Sequence, residues 1–176
     1  MLFRETDLAG VFIIEPERRV DERGYFARLF CERELAERGL EGCIRQVNTG
    51  FSPRARTLRG MHYQTAPHAE VKIVRCVRGT VFDVIIDLRP GSPSFKRWFG
   101  IELSAENGLL LYAPAGTAHG YLTMTEDTEL IYATNKAYAP DAATGVRYDD
   151  QSFGIEWPAA VQVMSAADRS WRPFVV

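Results

Sequence analysis

Two of the three histidines of this chain lie in segments that can bring them to one cavity. His62 stands in residues 58–64 (LRGMHYQ) and His119 in residues 114–120 (PAGTAHG). Both segments are flanked by strand-like runs, although they lie far apart along the chain. Because imidazole titrates near physiological pH and also binds metal ions, the pair indicates a site for proton transfer or for a metal.

A metal site is the less favoured of these two alternatives. Metal-binding barrels of the cupin type usually carry two histidines at His-x-His spacing, a later glutamate and a third histidine. Here Gln64 replaces the second histidine, and its amide is a poor ligand for transition metals. His62, Glu70 and His119 are the most that remain, and Lys72 would place a positive charge beside the ion. We therefore expect no metal.

The same residues favour acid–base chemistry on an anionic or carbonyl substrate. His62 can act as a base, Lys72 and Arg59 can hold negative charge, and a tyrosine can act as an acid. The sequence has no glycine-rich dinucleotide fingerprint, so we expect no hydride-carrying cofactor.

The elements that must position these residues are mostly strands. Strong β-forming runs predict strands over 71–77, 81–88, 98–103, 109–113 and 128–134, separated by turn signals. One helix is predicted over 32–38, with Gly39 at its C-terminal cap. Short strands at this spacing with so little helix predict an all-β sandwich or barrel.

Asp83 and Asp87 lie on the same face of the predicted strand 81–88, because side chains alternate along a strand. A carboxylate that faces the interior must be paired. Asp83 therefore lies either on the outer face or inside, paired with a cationic partner such as His119 or Lys72.

Composition predicts one soluble globular domain over residues 1–176. A net charge of −2 gives no indication of binding to nucleic acid or to an anionic membrane surface. We find no apolar run long enough to span a membrane and no signal peptide. Three cysteines without CxxC spacing predict reduced thiols in a cytoplasmic protein.

Over about residues 10 to 172 the chain resembles the dTDP-4-dehydrorhamnose 3,5-epimerase family, cupin-type enzymes that epimerise nucleotide-linked 4-keto-6-deoxy sugars. The shared order and spacing of the matching segments is more specific than any single segment. Those segments are 21–26, 58–64, 72–75, 78–84, 87–89, 114–120, Tyr132, 138–140, 155–158 and 165–169.

The resemblance implies four catalytic residues. His62 matches the general base that removes a proton from sugar carbon 3 and then from carbon 5, and Asp168 matches its paired carboxylate. Lys72 matches the cation near the sugar O4, where enolate charge develops. Tyr132 matches the general acid that reprotonates the opposite face.

The resemblance also implies a set of substrate-binding residues. Arg23 matches a contact to the nucleotide phosphates, and Tyr138 matches an aromatic side chain that stacks on the base. His119 matches a substrate-site residue with Asp83 as its partner. The other implied substrate-binding residues are Gln46, Asn48, Arg59 and Arg169.

The implied fold is an all-β, cupin-like jelly-roll barrel with short helical additions. The resemblance further implies a homodimer, often with N-terminal strands exchanged between subunits, a nucleotide-sugar substrate, and neither cofactor nor metal. The apolar residues 11–14, which we expect to be exposed, fit such an exchange and equally fit an ordinary edge strand.

Two departures from the family pattern leave alternatives open. Arg28 stands where the family commonly has glutamate, and Ala143 where it often has an acidic residue, both at positions associated with the nucleotide end. A CDP- or GDP-linked sugar is therefore one alternative substrate. Inversion of carbon 3 alone is a second alternative, and a non-catalytic cupin that binds sugar nucleotides is a third.

Overall fold

The computed structural model describes residues 1–175 and forms almost all of its regular structure from strands. The strands are β1 (Leu2–Glu5), β2 (Phe12–Glu15), β3 (Arg19–Asp21), β4 (Gly24–Phe26), β5 (Gln46–Ser52), β6 (Thr57–Gln64), β7 (Lys72–Arg78), β8 (Thr80–Asp87), β9 (Trp98–Ser104), β10 (Leu110–Ala113), β11 (Thr117–Thr123), β12 (Thr128–Thr134), β13 (Ala143–Gly145) and β14 (Val163–Met164). Two short helices, α1 (Glu32–Ala36) and α2 (Ala166–Arg169), complete the regular elements of this range.

Two large sheets face each other across an apolar core. The first has the order β1-β2-β10-β7-β12-β5, and the second has the order β13-β6-β11-β8-β9, with β14 added beside β6. Side chains from both sheets, among them Val74, Leu130, Ile85 and Tyr121, form one core cluster between them. The hairpin β3–β4 forms a separate small sheet. This architecture confirms the predicted all-β, cupin-like jelly roll with short helices.

The elements predicted from local sequence are all present. Each of the five predicted strands is found, and its first and last residues differ from the predicted ones by no more than one position. The turn at Gly79 separates β7 from β8. The predicted helix begins at Glu32 as expected but ends at Ala36, because the residues up to Gly39 form a turn. Gly39 has φ +69°, the left-handed conformation that ends many helices.

The expectation that residues 11–14 are exposed is wrong. Val11 and Ile14 are each only 1% exposed. The reason is the position of β2, which pairs with β1 on one side and with β10 on the other, so that it is not an edge strand. The apolar run is therefore part of the chain's own core.

A β-bulge in β6 determines which of its side chains lie on the face that carries His119. His62 pairs with His119 of β11, whereas Arg59 pairs with Tyr121, so the register shifts between these two pairs. The shift leaves one extra residue in β6. In a regular strand Arg59 and His62 would point to opposite faces, but the bulge puts both on the face that carries His119.

The bulge depends on two glycines that meet where β6 passes β11. A Cβ atom on Gly60 would lie 2.5 Å from Cα of Gly120, and one on Gly120 would lie 2.8 Å from the carbonyl oxygen of Arg59. Gly60 also has φ +141°, which side-chain-bearing residues rarely adopt. Only glycine allows this approach of the two backbones.

We predict that Gly60→Ala lowers the free energy of unfolding by about 2 kcal/mol more than Gly24→Ala does, because overpacking adds to backbone strain. Gly24 is a matched control, since it has φ +120° but no atom within 4 Å of a Cβ built on it. Urea denaturation of both variants measures the difference, and equal losses of stability would contradict the steric role of Gly60.

Candidate active site

His62 and Asp168 form a closely paired acid–base unit. Nε2 of His62 lies 2.6 Å from Oδ1 of Asp168. The side chain of Asp168 is 6% exposed, whereas that of His62 is 44% exposed. A carboxylate accepts hydrogen bonds, so Nε2 carries the proton, and Nδ1 has no hydrogen-bond partner among residues 1–175. The free nitrogen of a neutral imidazole in this arrangement can accept a proton.

Asp168 is held in place from three directions. The N-cap residue Ser165 accepts the backbone N–H of Asp168 at 3.0 Å, which fixes the first turn of α2. The N–H of Gly60 points at Oδ2 of Asp168 from 3.4 Å. Burial raises the pKa of Asp168, but the hydrogen bonds from His62 and from Gly60 hold it below its ordinary value. The carboxylate is therefore ionised at neutral pH.

His119 forms a second histidine–carboxylate pair in the interior. Its Nε2 atom lies 3.0 Å from Oδ1 and 2.9 Å from Oδ2 of Asp83. Asp83 is fully buried, so of the two placements considered from sequence it takes the inner one, with His119 as its partner. The pairing of β6 with β11 puts His119 directly opposite His62.

Lys72, the first residue of β7, brings a buried positive charge next to His62. Its Nζ atom donates a hydrogen bond to the carbonyl oxygen of His62 at 3.1 Å and lies 3.3 Å from Oε1 of Glu70. Burial lowers the pKa of Lys72, while the carboxylates of Glu70 and Asp83 oppose that shift.

Tyr132 lies on the other sheet, on the face that points inward. On β12 it pairs with Asn48 of β5 and Val74 of β7, and two residues later Thr134 pairs with Lys72 and with Gln46. Since side chains alternate along strands, the side chains of these residues share one face.

The environment of Tyr132 keeps its hydroxyl protonated at neutral pH. Burial raises the pKa of Tyr132, Glu70 raises it further, and the guanidinium of Arg59 acts in the opposite direction. Arg59 itself is anchored to β5, where Nε donates to Oγ of Ser52 at 3.2 Å and Nη2 donates to the carbonyl of Phe51 at 3.0 Å. The site thus combines an imidazole with a free ring nitrogen, a buried lysine and a phenol that can release a proton.

Gln46 and Tyr138 are joined by a hydrogen bond at the start of the edge strand β5. The backbone N–H of Tyr138 donates to Oε1 of Gln46 at 2.5 Å. Tyr138 is 65% exposed, which leaves its ring free to stack on a flat ligand.

Two predicted site residues are not brought to His62. Arg23 lies in the β3–β4 hairpin, and its guanidinium bonds only to Asp21 within residues 1–175. Arg169 is exposed on α2, next to Asp168, where it helps to line a cavity of about 360 Å³.

Arg28 and Ala143, the two departures from the family pattern, both have partners within the chain. Nη1 of Arg28 pairs with Oε1 of Glu34 at 2.8 Å, so its positive charge is balanced within the chain. Ala143 begins β13 and pairs with Gln64 in the second sheet.

Four residues near the site have no role in this chemistry that the sequence predicts. Trp171 stacks edge-on to His62, with ring centroids 6.3 Å apart, and no spacing signal marks it. The sequence suggests a role for Gln64 and Glu70 only in connection with a metal. The amide of Gln64 instead donates to Oε2 of Glu70 at 3.0 Å. The spacing Ser-x-x-Asp at 165–168 is a helix-start signal that could have located Ser165.

Within residues 1–175 no group of three or more histidine, cysteine, aspartate or glutamate side chains is arranged to hold a metal ion. Neither helix of this range has the length and apolar character needed to cross a membrane.

Comparisons with known proteins converge on one family. Residues 5–175 match the family model described as dTDP-4-dehydrorhamnose 3,5-epimerase. A protein of that name from Sinorhizobium fredii is 39% identical over 171 residues, covering 97% of this chain and 88% of its own.

Solved structures of the same name superpose closely on this chain. The enzyme from Elizabethkingia anophelis gives a TM-score of 0.96 at 36% identity, covering 99% of this chain and 96% of its own. The enzyme from Bacillus anthracis, solved with TDP and pyrophosphate bound, gives 0.94 at 34% identity, covering 98% and 99%.

We predict that Asp168→Asn reduces stability by about 2 kcal/mol at pH 7, because the acceptor of the hydrogen bonds from His62 and Gly60 loses its negative charge. The folded pKa of Asp168 is lowered, so its contribution is present above the unfolded carboxyl pKa of about 3.9 and disappears as the pH falls through the folded value. Urea titrations should therefore show the two proteins converging below about pH 4.

The exposed pair Arg147–Asp149 provides the control for this prediction. Asp149→Asn should change stability by no more than about 0.5 kcal/mol at any of these pH values. A stability difference for Asp168→Asn that stays constant down to pH 3 would contradict the assigned ionisation.

Proposed function

The chain belongs to the dTDP-4-dehydrorhamnose 3,5-epimerase family, and we propose that His62, Lys72 and Tyr132 carry out its proton transfers. As a member of this family it is an isomerase that inverts carbons 3 and 5 of a dTDP-linked 4-keto-6-deoxy sugar. The observation that carries the residue assignment is the His62–Asp168 pair, whose free Nδ1 atom lies on the partly exposed side chain.

The first step is removal of the proton from carbon 3. A C–H bond next to the 4-keto group is weakly acidic, and Nδ1 of His62 accepts its proton as the electron pair moves into the carbonyl. Asp168 accepts the hydrogen bond from Nε2 throughout, which keeps the imidazole in one tautomer and stabilises the imidazolium that forms.

The electron pair collects on O4 as an enolate, and Lys72 is the residue suited to stabilise it. Its ammonium is buried among strands and fixed by the carbonyl of His62, so little reorganisation is needed when the negative charge develops. Arg59 and the His119–Asp83 pair hold the sugar from the His62 side of the site.

Inversion is completed when Tyr132 donates its proton to the opposite face of carbon 3. Tyr132 lies on the sheet that faces the one bearing His62, which suits delivery from the other side. His62 then releases its proton to water and Tyr132 regains one, and the cycle repeats at carbon 5. No electron leaves the substrate, so the reaction requires no redox cofactor.

The nucleotide end of the substrate is assigned to Gln46, Asn48 and Tyr138, and Arg169 is a further candidate contact from the cavity beside Asp168. Tyr138 offers an exposed ring held by Gln46, and its stacking is suited to a nucleobase. Arg28 is paired with Glu34, so the reversed charge at this position is balanced without a change of nucleotide. We therefore favour thymidine over the CDP- and GDP-linked alternatives.

We also propose a cytoplasmic homodimer of single-domain chains spanning residues 1–176. The outer face of the β7–β12–β5 edge of the first sheet exposes the apolar side chains Val47, Phe51, Val77 and Ile131. A second copy of the chain would cover this face. Among residues 1–175 the guanidinium of Arg23 bonds only to Asp21 of its own exposed hairpin, and a partner chain could bring Arg23 to the phosphates of a bound nucleotide. Three free cysteines suit a reducing compartment.

We predict that His62→Ala lowers deuterium incorporation from solvent into carbons 3 and 5 by about 10³-fold, because the base is removed. Tyr132→Phe should slow net inversion by about 10²-fold or more while deuterium still enters carbon 3, since the base remains. NMR of dTDP-4-keto-6-deoxyglucose in deuterated water measures both quantities.

Tyr63→Phe is the control for the tyrosine variant, since Tyr63 lies beside His62 on β6 and has no assigned role. It should retain close to full inversion. Retention of carbon-3 exchange by a folded His62→Ala protein would show that another residue is the base.

We predict that the wild-type protein sediments as a dimer at micromolar concentration and that Ile131→Glu shifts it toward monomer, because a charge would be buried in an apolar interface. Ala160→Glu, in an exposed loop, is the control and should remain dimeric. A dimer unaffected by Ile131→Glu in analytical ultracentrifugation would exclude this face as the interface.

A further inference from the structure

The buried ammonium of Lys72 has a carboxylate partner outside the assigned catalytic set. Nζ of Lys72 lies 3.3 Å from Oε1 of Glu70, and the two side chains are only 10% and 12% exposed. Its other contact is a neutral one, the carbonyl of His62. A buried charge without a counter-charge is strongly destabilised, so Glu70 is the group that permits a charged lysine here.

Glu70 is itself held by Gln64, whose amide nitrogen and oxygen are both hydrogen-bonded. Gln64 donates from Nε2 to Oε2 of Glu70 at 3.0 Å, and also toward the carbonyls of His68 and Ala137. Its Oε1 atom accepts the N–H of Ala139 at 2.7 Å. One carboxylate oxygen of Glu70 therefore faces Gln64 and the other faces Lys72, so the carboxylate has one fixed orientation.

We propose that Glu70 is a positioning residue for the epimerase reaction, which holds the ammonium of Lys72 in place and keeps it charged where the enolate oxygen develops. The inference rests on the proposed role of Lys72. Glu70 does not contact the substrate in this account, and it acts through Lys72 and through its negative charge near Tyr132.

The other charged and titratable groups around Lys72 come from the strands packed against it. Asp83 on β8 is the second carboxylate that favours the charged lysine, but it is already bonded to His119. Removal of Glu70 would therefore leave Lys72 with no carboxylate of its own. The remaining groups of this kind are His62 on β6, His119 on β11 and Tyr132 on β12.

Loss of the Glu70 charge lowers the pKa of both Lys72 and Tyr132, the two groups that the reaction needs in protonated form. The pKa of Lys72 falls, because burial is then less opposed. The pKa of Tyr132 falls as well, because a neighbouring negative charge no longer disfavours the phenolate. Both the ammonium and the phenol are active when protonated, so activity is lost at lower pH.

The test is the pH profile of kcat/KM for Glu70→Gln, which keeps the shape of the side chain and removes its charge. We expect the alkaline limb to move down by about 1 pH unit. At neutral pH kcat should fall at least about tenfold while KM changes less than about threefold. Glu129→Gln is the matched control, because Glu129 lies on β12 but bonds to Thr49 on the outer face. Its profile should match the wild type.

Glu70→Asp restores the charge one methylene further from Lys72, and its alkaline limb should lie between those of the wild type and Glu70→Gln. Should Glu70→Gln fail to fold, as judged by circular dichroism, the aspartate variant alone decides the question. An unmoved alkaline limb in the folded variant overturns the role of Glu70 and leaves the proposed function intact. Absence of proton exchange in the wild type would instead overturn the proposed function itself.

Discussion

The close contact between the backbones of Gly60 and Gly120 is the constraint on which the site depends. It accommodates the extra residue of β6, and that residue places both Arg59 and His62 on the face that carries His119. The N–H of Gly60 also points at the carboxylate of Asp168. The orientation of the base and that of its partner therefore follow from one feature of the backbone, which is more rigid than a set of long side chains.

Paired charges make this interior suitable for proton transfer. Each buried ionisable group near His62 has an opposite or hydrogen-bonding partner, so its charge is tolerated away from water. The pairs are His62–Asp168, His119–Asp83 and Lys72–Glu70. In a site of this kind small changes in one charge alter the protonation of its neighbours, which is why the lysine and the tyrosine respond together to Glu70.

Local sequence predicted most of the fold because alternating β-forming runs and turn residues act over a few positions. The alternation of side chains along β8 also left two positions for the Asp83 carboxylate, the outer face or an interior pair, and the structure shows the interior pair with His119. Local sequence did not predict the bulge in β6, since that feature depends on contact with a strand distant in sequence. The contact of Trp171 with His62 is also distant in sequence. The bond between Gln64 and Glu70 is local, but no spacing signal marks it.

Proton transfer by His62 and Tyr132 is tested most directly by NMR of dTDP-4-keto-6-deoxyglucose incubated with the wild-type protein in deuterated water. We expect deuterium at carbons 3 and 5, because a base on one side and an acid on the other exchange their protons with solvent at each inversion. Deuterium at carbon 3 alone would restrict the enzyme to one centre. Turnover of the sugar without any incorporation would contradict the proton-transfer mechanism.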